Sequence, residues 1–291
     1  MATKKTQIIT LVCNKGGVGR STTAINIAWS LASSKCNVLV CDLDAQANTS
    51  SSLAKNYQVD VVEDGRHVTS LLKSIGDSAT DYIVDTRNPN IKLLASTLML
   101  DSTEGEIKSL LDLNVFKLFD HFFNKKLRSE FDFIIIDTPP QKSSVLTLNA
   151  LLTSNWYWYV LSAEDQWSLD ARIVSEKIME DVRKLNPKIK PLPVLMTKFV
   201  NGSSHSIEMK KIAASEFKAG VFKTTIGYST VVSKSHSNRK SIHEFNPGHL
   251  IEKNYDSVAL AINRYISKTK KTRLKRKLKK QQSTQTLFIK A

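Results

Sequence analysis

Short, almost continuously apolar segments recur along the chain and constrain its fold more than any other feature. The segment FDFIIID (131–137) is typical of a strand that is buried on both faces of a parallel sheet. Most of the intervening segments are long enough for the helical crossovers that parallel strands require. We therefore predict an α/β fold with a doubly wound, mostly parallel sheet. Strands are predicted over 7–13, 37–42, 91–95, 131–137, 157–162, 193–197 and 221–226.

A glycine-rich segment, NKGGVGRSTT, follows the first predicted strand and leads into a predicted helix over 21–31. A strand, a glycine-rich turn and a helix N-terminus together form a site for an anion, because backbone N–H groups point inward and the helix dipole adds positive potential. Glycines let the backbone curl without side-chain clashes. The hydroxyl of Ser21 is placed to ligate Mg²⁺. The segment predicts a phosphate-binding loop.

Acidic residues close two of the predicted strands. Asp42 and Asp44 lie in CDLDAQAN, and Asp137 ends the apolar run of FIIIDTPP. Ligands of open α/β sheets bind outside the carboxyl ends of the strands. An acid that closes an apolar strand is also typical of a Walker B aspartate near Mg²⁺. We therefore expect these acids to lie beside the phosphate-binding loop.

The motifs KGGVGRSTT, DLDAQAN and FIIIDTPP occur here in the order and spacing of a known family. With them the chain resembles the deviant Walker-A ATPases of the ParA/MinD class, and most of all the ParA branch. The resemblance covers 15–140 and continues weakly through LPVLMTKF and TTIGYS…SIHEFNPG. It implies a P-loop NTPase fold, ATP and Mg²⁺ as cofactors, and ATP hydrolysis. Because Lys15 follows a single strand, an N-terminal helix-turn-helix domain is not expected.

The resemblance also implies roles for individual residues. Lys15 matches the signature lysine that reaches the phosphates of the partner subunit's ATP, and Asp44 matches the aspartate that positions the attacking water. Thr22 matches the residue beside the α-phosphate. The implied residues at or near the metal are Ser21, Asp42 and Asp137. The implied nucleotide-binding loop comprises Lys15, Gly16, Gly17, Val18, Gly19, Arg20, Ser21 and Thr22.

Arg20 departs from the family pattern, which has a lysine at this position to contact the β- and γ-phosphates. Arginine keeps the charge, but its planar fork is wider than an ammonium group. Since phosphoryl transfer depends on positioning, a displacement of about 1 Å can cost about a hundredfold in rate. We expect Arg20 to permit ATP binding and slow hydrolysis, with the other subunit's Lys15 supplying charge in the transition state. The alternative is a nucleotide-binding switch with little turnover, against which the retained Asp44 argues.

Positive charge is concentrated towards the C-terminus. The formal net charge is +15, and nine Lys or Arg residues without an acid lie within 268–280. We predict a nucleotide-binding domain over 1–267 and a basic extension over 268–291, either disordered or helical. Because Lys and Arg displace counterions from nucleic-acid phosphates, nonspecific DNA is the expected polyanion. The candidate contacts are Lys234, Arg239, Lys240, Lys270, Lys271, Arg273, Lys275, Arg276 and Lys277.

The function that the resemblance implies is that of a partition or positioning ATPase. Its ATP-dependent homodimer would bind nonspecific DNA and be released when a ParB-like centromere-binding protein or a cargo adaptor stimulates hydrolysis. The cargo would be a plasmid, a chromosome or a protein compartment. Without a signal peptide or an apolar run of roughly 18 residues, a cytoplasmic, nucleoid-associated location is expected.

Two other functional classes fit the sequence less well. MinD-like membrane docking uses an amphipathic helix, but Leu274 and Leu278 give this tail only a thin apolar face. The metal-cluster carriers of the superfamily need bridging cysteines, and Cys13, Cys36 and Cys41 form no C-x-x-C pair.

The aromatic run WYWY (156–159) has two interpretations. Alternation along a strand would bury two of the rings and expose the other two at a partner surface, and the alternative is plain sheet packing.

Overall fold

The computed structural model describes residues 5–13, 15–74, 77–109, 118–140, 144–164 and 169–288, with side chains over the same ranges except 108–109, 169–175, 271 and 273–288. The strands within these ranges are β1 (Gln7–Val12), β2 (Val38–Asp42), β3 (Ile83–Asp85), β4 (Ile91–Leu94), β5 (Phe133–Asp137), β6 (Trp156–Ser162), β7 (Lys190–Pro191) and β8 (Leu195–Thr197). The α-helices are α1 (Arg20–Ser33), α2 (Asn48–Leu53), α3 (Val68–Lys73), α4 (Leu100–Ser109), α5 (Leu118–Phe122), α6 (Lys125–Glu130), α7 (Val145–Thr153), α8 (Leu169–Leu185), α9 (Ser204–Glu216), α10 (Thr230–Ser237), α11 (Ile242–Phe245) and α12 (Leu250–Phe288). A π-helical turn (Tyr57–Glu63) and a 3₁₀ turn (Ala79–Tyr82) complete the assignment.

These strands form one sheet in the order β3-β4-β2-β5-β1-β6-β7, and β8 pairs with the far end of β6. Neighbours run parallel except β3, which is antiparallel to β4. Strands β1, β5 and β2 lie side by side, so their carboxyl ends meet at one edge of the sheet. The predicted doubly wound, mostly parallel α/β fold is confirmed.

Both faces of the sheet are buried, which explains why the strands are almost continuously apolar. Ile9 of β1 packs in the cluster that contains residues of α1 and α12. Its neighbour Ile8 points to the opposite face and packs with residues of α3, α4 and α7. Because side chains alternate along a strand, two covered faces require apolar residues at every position.

The predicted strand over 221–226 is wrong. Val221 forms one isolated bridge with Val194, and Ile226 N donates to Met196 O (2.9 Å), but the backbone bends at Lys223 and Thr224 between these contacts. Strands β3 and β7 were not predicted. They contain three and two residues, too few for an apolar pattern, and β7 includes Pro191.

Of the two interpretations of the aromatic run, sheet packing is the one that the structure bears out. Trp156, Tyr157, Trp158 and Tyr159 are all buried, because β6 is covered on both faces. Trp158 donates from Nε1 to Pro193 O (2.9 Å) and stacks edge-on against Phe222. Ordinary packing accounts for these rings.

Helix α12 continues through residue 267 and ends at Phe288, so the basic segment extends the last core helix without a break in the backbone. Tyr255, Val258 and Ile262 bury one side of its first part against the sheet. Among the described helices, none combines the length and the apolarity that crossing a bilayer would require.

Candidate nucleotide-binding site

The glycine-rich loop leaves β1 and turns sharply into α1. Gly17 (φ 72°) and Gly19 (φ 90°) adopt left-handed backbone conformations, which side chains other than glycine rarely tolerate. Helix α1 begins without a side-chain cap and without an acid in its first turn. Its first backbone N–H groups are therefore left for an anion, whose charge the helix dipole also favours.

A cavity of about 390 Å³ opens over this helix N-terminus. Its walls are the loop and first turn (16–22), Asp44 after β2, Thr197 at the end of β8, and residues of the segment 226–236. The site thus lies outside the carboxyl ends of the parallel strands, where ligands of such sheets bind.

Thr197 holds the loop against the sheet. Its hydroxyl donates to Val18 O (2.7 Å) and approaches Leu161 O at 3.1 Å, so it ties the loop to β6. A methyl group added at Gly19 would lie 3.7 Å from the Thr197 side chain, which shows how closely the two pack. Sequence reasoning placed Thr197 only within the weakly similar stretch LPVLMTKF and gave it no role, because it lies 179 residues from its partner.

Asp42 and Asp137 face each other across neighbouring strands. They are register partners at the ends of β2 and β5, and both are fully buried. Burial, and then the charge of Asp137, raise the pKa of Asp42 to about 8. Burial also raises the pKa of Asp137, although the charge of Arg20 opposes that shift. The pair therefore holds a proton near neutral pH unless more positive charge is brought to it.

The carboxylates of Asp42 and Asp137 differ in how many of their oxygen atoms already accept hydrogen bonds from the protein. Asp42 Oδ2 accepts from Ser50 N and Ser50 Oγ (2.8 and 2.7 Å), and its Oδ1 accepts from Asp44 N (3.1 Å). Asp137 Oδ2 accepts from Thr49 Oγ1 (2.7 Å), whereas its buried Oδ1 has no hydrogen-bond partner among the described residues. Ser21 lies near enough to lower the pKa of Asp137. The Ser21 hydroxyl and Asp137 Oδ1, which has no hydrogen-bond partner among the described residues, are oxygen ligands of the kind that a small hard cation such as Mg²⁺ prefers.

Arg20 lies beside this acidic pair in the structure. Its side chain is buried, with the residue only 6% exposed, and its Nη1 donates to Thr138 O (2.6 Å). Its Nε atom has no partner among the described residues. The guanidinium thus lies between the cavity and Asp137, where its charge favours ionisation of that carboxyl.

Three further contacts join α1 to the C-terminal helices. Thr22 Oγ1 lies 2.6 Å from His236 Nε2 of α10, and Thr23 Oγ1 lies 3.4 Å from the buried Tyr255 hydroxyl of α12. Asn26 donates to Thr22 O (2.8 Å) and accepts from Ile242 N (2.8 Å) at the start of α11. Apart from Thr22, sequence reasoning identified none of these residues as part of the site, because the contacts join residues more than 200 positions apart.

The two predicted residues of hydrolysis, Asp44 and Lys15, differ in their position. Asp44 is half-buried, lines the cavity and accepts from Gln46 N (3.0 Å). Lys15 is exposed on the loop. The structure therefore brings together every predicted nucleotide and metal residue except Lys15, which is not among the residues that line the cavity.

The candidate DNA contacts fall into two groups. Lys234, Arg239 and Lys240 are exposed on α10 and the turn after it, with Arg239 O accepting from Arg87 Nη2 (3.1 Å). Lys270 is exposed on α12. The other candidates lie on the helical backbone of α12, but their side chains are outside the described ones: Lys271, Arg273, Lys275, Arg276 and Lys277.

Comparison with known proteins agrees with this geometry. A family model described as an AAA domain matches residues 6–190. The chromosome partitioning protein ParA of Myxococcus xanthus is 29% identical over 238 residues, which are 81% of this chain and 80% of that protein.

Solved structures share the fold over most of their length. A cobyrinic acid a,c-diamide synthase from Mycobacterium smegmatis, solved with an ATP analogue and magnesium, is 23% identical, with a TM-score of 0.74 over 90% of this chain and 96% of that one. A plasmid partition protein from Borrelia burgdorferi is 26% identical, with a TM-score of 0.64 over 89% of this chain and 99% of that one. The chain therefore belongs to the AAA-domain family of P-loop ATPases and, within it, to the ParA/MinD class.

Proposed function

We propose that this protein is an ATP-dependent partition or positioning ATPase. The observation that carries the proposal is the cavity at the uncapped N-terminus of α1, which Asp44 and Arg20 line. The buried pair Asp42 and Asp137 ends the adjacent strands β2 and β5, and the charge of Arg20 acts on Asp137. The ATP-bound protein forms a homodimer that binds nonspecific DNA on the nucleoid in the cytoplasm. A ParB-like protein or a cargo adaptor stimulates hydrolysis and release. The names of the ParA and plasmid partition relatives support this direction.

Ser21 and Asp137 are proposed to hold the metal. Mg²⁺ bound there would neutralise charge on the phosphate oxygens of the nucleotide. Because both Asp42 oxygens already accept hydrogen bonds from the protein, we assign Asp42 a place beside the metal, where it orients Ser50 and Asp44. The backbone N–H groups of the loop and of the first turn of α1 bind the phosphates.

Hydrolysis is assigned to residues at the mouth of the cavity. The half-buried Asp44 carboxylate orients the attacking water, and Lys15 reaches into the partner subunit's site, in keeping with its exposure on one chain. Arg20 must leave the Thr138 carbonyl, or turn a second nitrogen towards the phosphates, before it can stabilise them. The need for this rearrangement, together with the width of the guanidinium, makes ATP hydrolysis slow.

Proton release measures the acidic pair directly. Since burial raises the pKa values of both carboxyls, that of Asp42 to about 8, the pair holds a proton in the nucleotide-free protein at pH 7 and loses it well above pH 8. A Mg²⁺ ion held beside the pair by Ser21 and Asp137 would favour the ionised form, so we expect Mg·ADP binding to release up to about one proton per site at pH 7 and almost none at about pH 9.5.

Calorimetry with preformed Mg·ADP, repeated in buffers of different ionisation enthalpy, measures that release. ADP with EDTA is the control, because without the metal the release should largely disappear. Equal proton release at both pH values would contradict the assignment of a protonated pair.

The substitution Arg20→Lys tests the cause of slow turnover. A lysine has the compact ammonium that fits a tightly wrapped loop, so we expect turnover to rise by about tenfold or more, within the range that positioning effects reach. Steady-state phosphate release measures it for wild type and variant, with Asp44→Ala as the inactive control. Equal rates in wild type and Arg20→Lys would refute a catalytic cost of Arg20. Turnover absent from both would favour the nucleotide-binding switch.

Neutralising the two basic groups separately tests the DNA surface. One variant carries Lys234→Ala, Arg239→Ala and Lys240→Ala, and the other carries alanine at Arg273, Lys275, Arg276 and Lys277. Each DNA phosphate that the variant no longer neutralises should reduce the slope of log K against log salt concentration by about 0.9.

Binding to random-sequence duplex in the presence of ATP, measured by fluorescence anisotropy across salt concentrations, gives that slope. The control is Lys125→Ala with Lys126→Ala, two exposed lysines on α6, which precedes the amino end of β5 and so lies away from the cavity. If the slope for neither basic variant differs from that for this control, the proposal that these residues bind DNA is wrong.

A further inference from the structure

Helix α10 supplies a polar side chain to the phosphate end of the cavity. His236 lies in its last turn, lines the cavity, and places Nε2 2.6 Å from Thr22 Oγ1 in the first turn of α1. Thr22 is buried, and His236 is partly buried. An imidazole nitrogen this close to Thr22 can also reach an oxygen atom that the same hydroxyl contacts.

The surroundings of His236 favour a neutral imidazole. Burial lowers its pKa from the ordinary value, so the ring is uncharged near pH 7 in the nucleotide-free protein. A neutral ring carries one N–H donor and one acceptor. It can therefore share the Thr22 hydroxyl in the empty site and donate to an anionic oxygen in the filled one.

We propose that His236 is a further nucleotide-binding residue, which donates a hydrogen bond to the phosphate oxygen next to Thr22. This inference rests on the proposed function, since it takes Thr22 to lie beside the α-phosphate. Helix α10 then forms one wall of the nucleotide site. The same helix and the turn after it carry Lys234, Arg239 and Lys240, so a hydrogen bond from His236 to the phosphate would connect the nucleotide to this group of candidate DNA contacts.

A purely structural role for His236 makes a different prediction. If the imidazole only occupies the Thr22 hydroxyl in the empty site, the nucleotide has to displace it, and removing the ring would leave affinity unchanged or increase it. If the imidazole binds phosphate, removing it weakens affinity. The sign of the change therefore separates the two roles.

The experiment compares wild type with His236→Ala and His236→Gln. Calorimetry with Mg·ADP gives the Kd, and phosphorus NMR at saturating Mg·ADP reports on each phosphate. We expect His236→Ala to raise the Kd about tenfold or more, as hydrogen bonds to charged groups do, and to shift the α-phosphorus resonance more than the β-phosphorus resonance. His236→Gln keeps a donor near the position of Nε2 and should restore part of the affinity.

Two controls keep these outcomes distinct. His205→Ala replaces an exposed histidine on α9 and should bind as wild type does, and thermal melting without nucleotide checks that each variant is folded. A Kd that is unchanged or lower in folded His236→Ala, or an α-phosphorus resonance that does not move, would overturn the assignment. Failure of wild type itself to bind Mg·ADP would instead refute the proposed nucleotide site.

Discussion

The burial of two carboxyl groups beside an uncapped helix N-terminus is the constraint around which this structure is organised. Asp42 and Asp137 are register partners at the ends of adjacent strands, so the sheet itself forces them together. Two negative charges cannot both be stable there without compensation, which is why burial raises both pKa values. Arg20 supplies part of that compensation, and a metal with its nucleotide would supply the rest.

The remaining polar contacts fix the groups around this centre. Thr49 and Ser50, at the start of α2, orient the two carboxylates, and Thr197 ties the loop to β6. Asn26 and His236 connect α1 to α11 and α10. If nucleotide binding changed the position of α1, it would therefore also change the positions of α10 and α11, which lie far from α1 in sequence.

Much of the site could be predicted from sequence because its defining residues belong to local patterns. The glycines, Ser21 and the acids at strand ends lie next to the strands that position them, so a parallel sheet is enough to bring them together. His236, Thr197 and Tyr255 could not be predicted, because their contacts depend on which helix packs against α1. No local period in the sequence contains that information.

The errors in the fold have similar causes. An apolar, β-branched segment such as 221–226 predicts a strand from its composition, but pairing also needs an uninterrupted neighbour, and β8 is only three residues long. The rings of Trp156–Tyr159 fit an alternating pattern as well as a continuous one. Only the helices that cover both faces of β6 decide that all four are buried.

The central claim is that ATP in this cavity joins two copies of the chain. Sedimentation velocity of the Asp44→Ala variant, which should retain the nucleotide, tests it most directly when run with and without saturating ATP and magnesium. The account predicts a monomer of 32.6 kDa without nucleotide and a particle of twice that mass with it. A particle that stays monomeric at saturating ATP and magnesium would contradict the account.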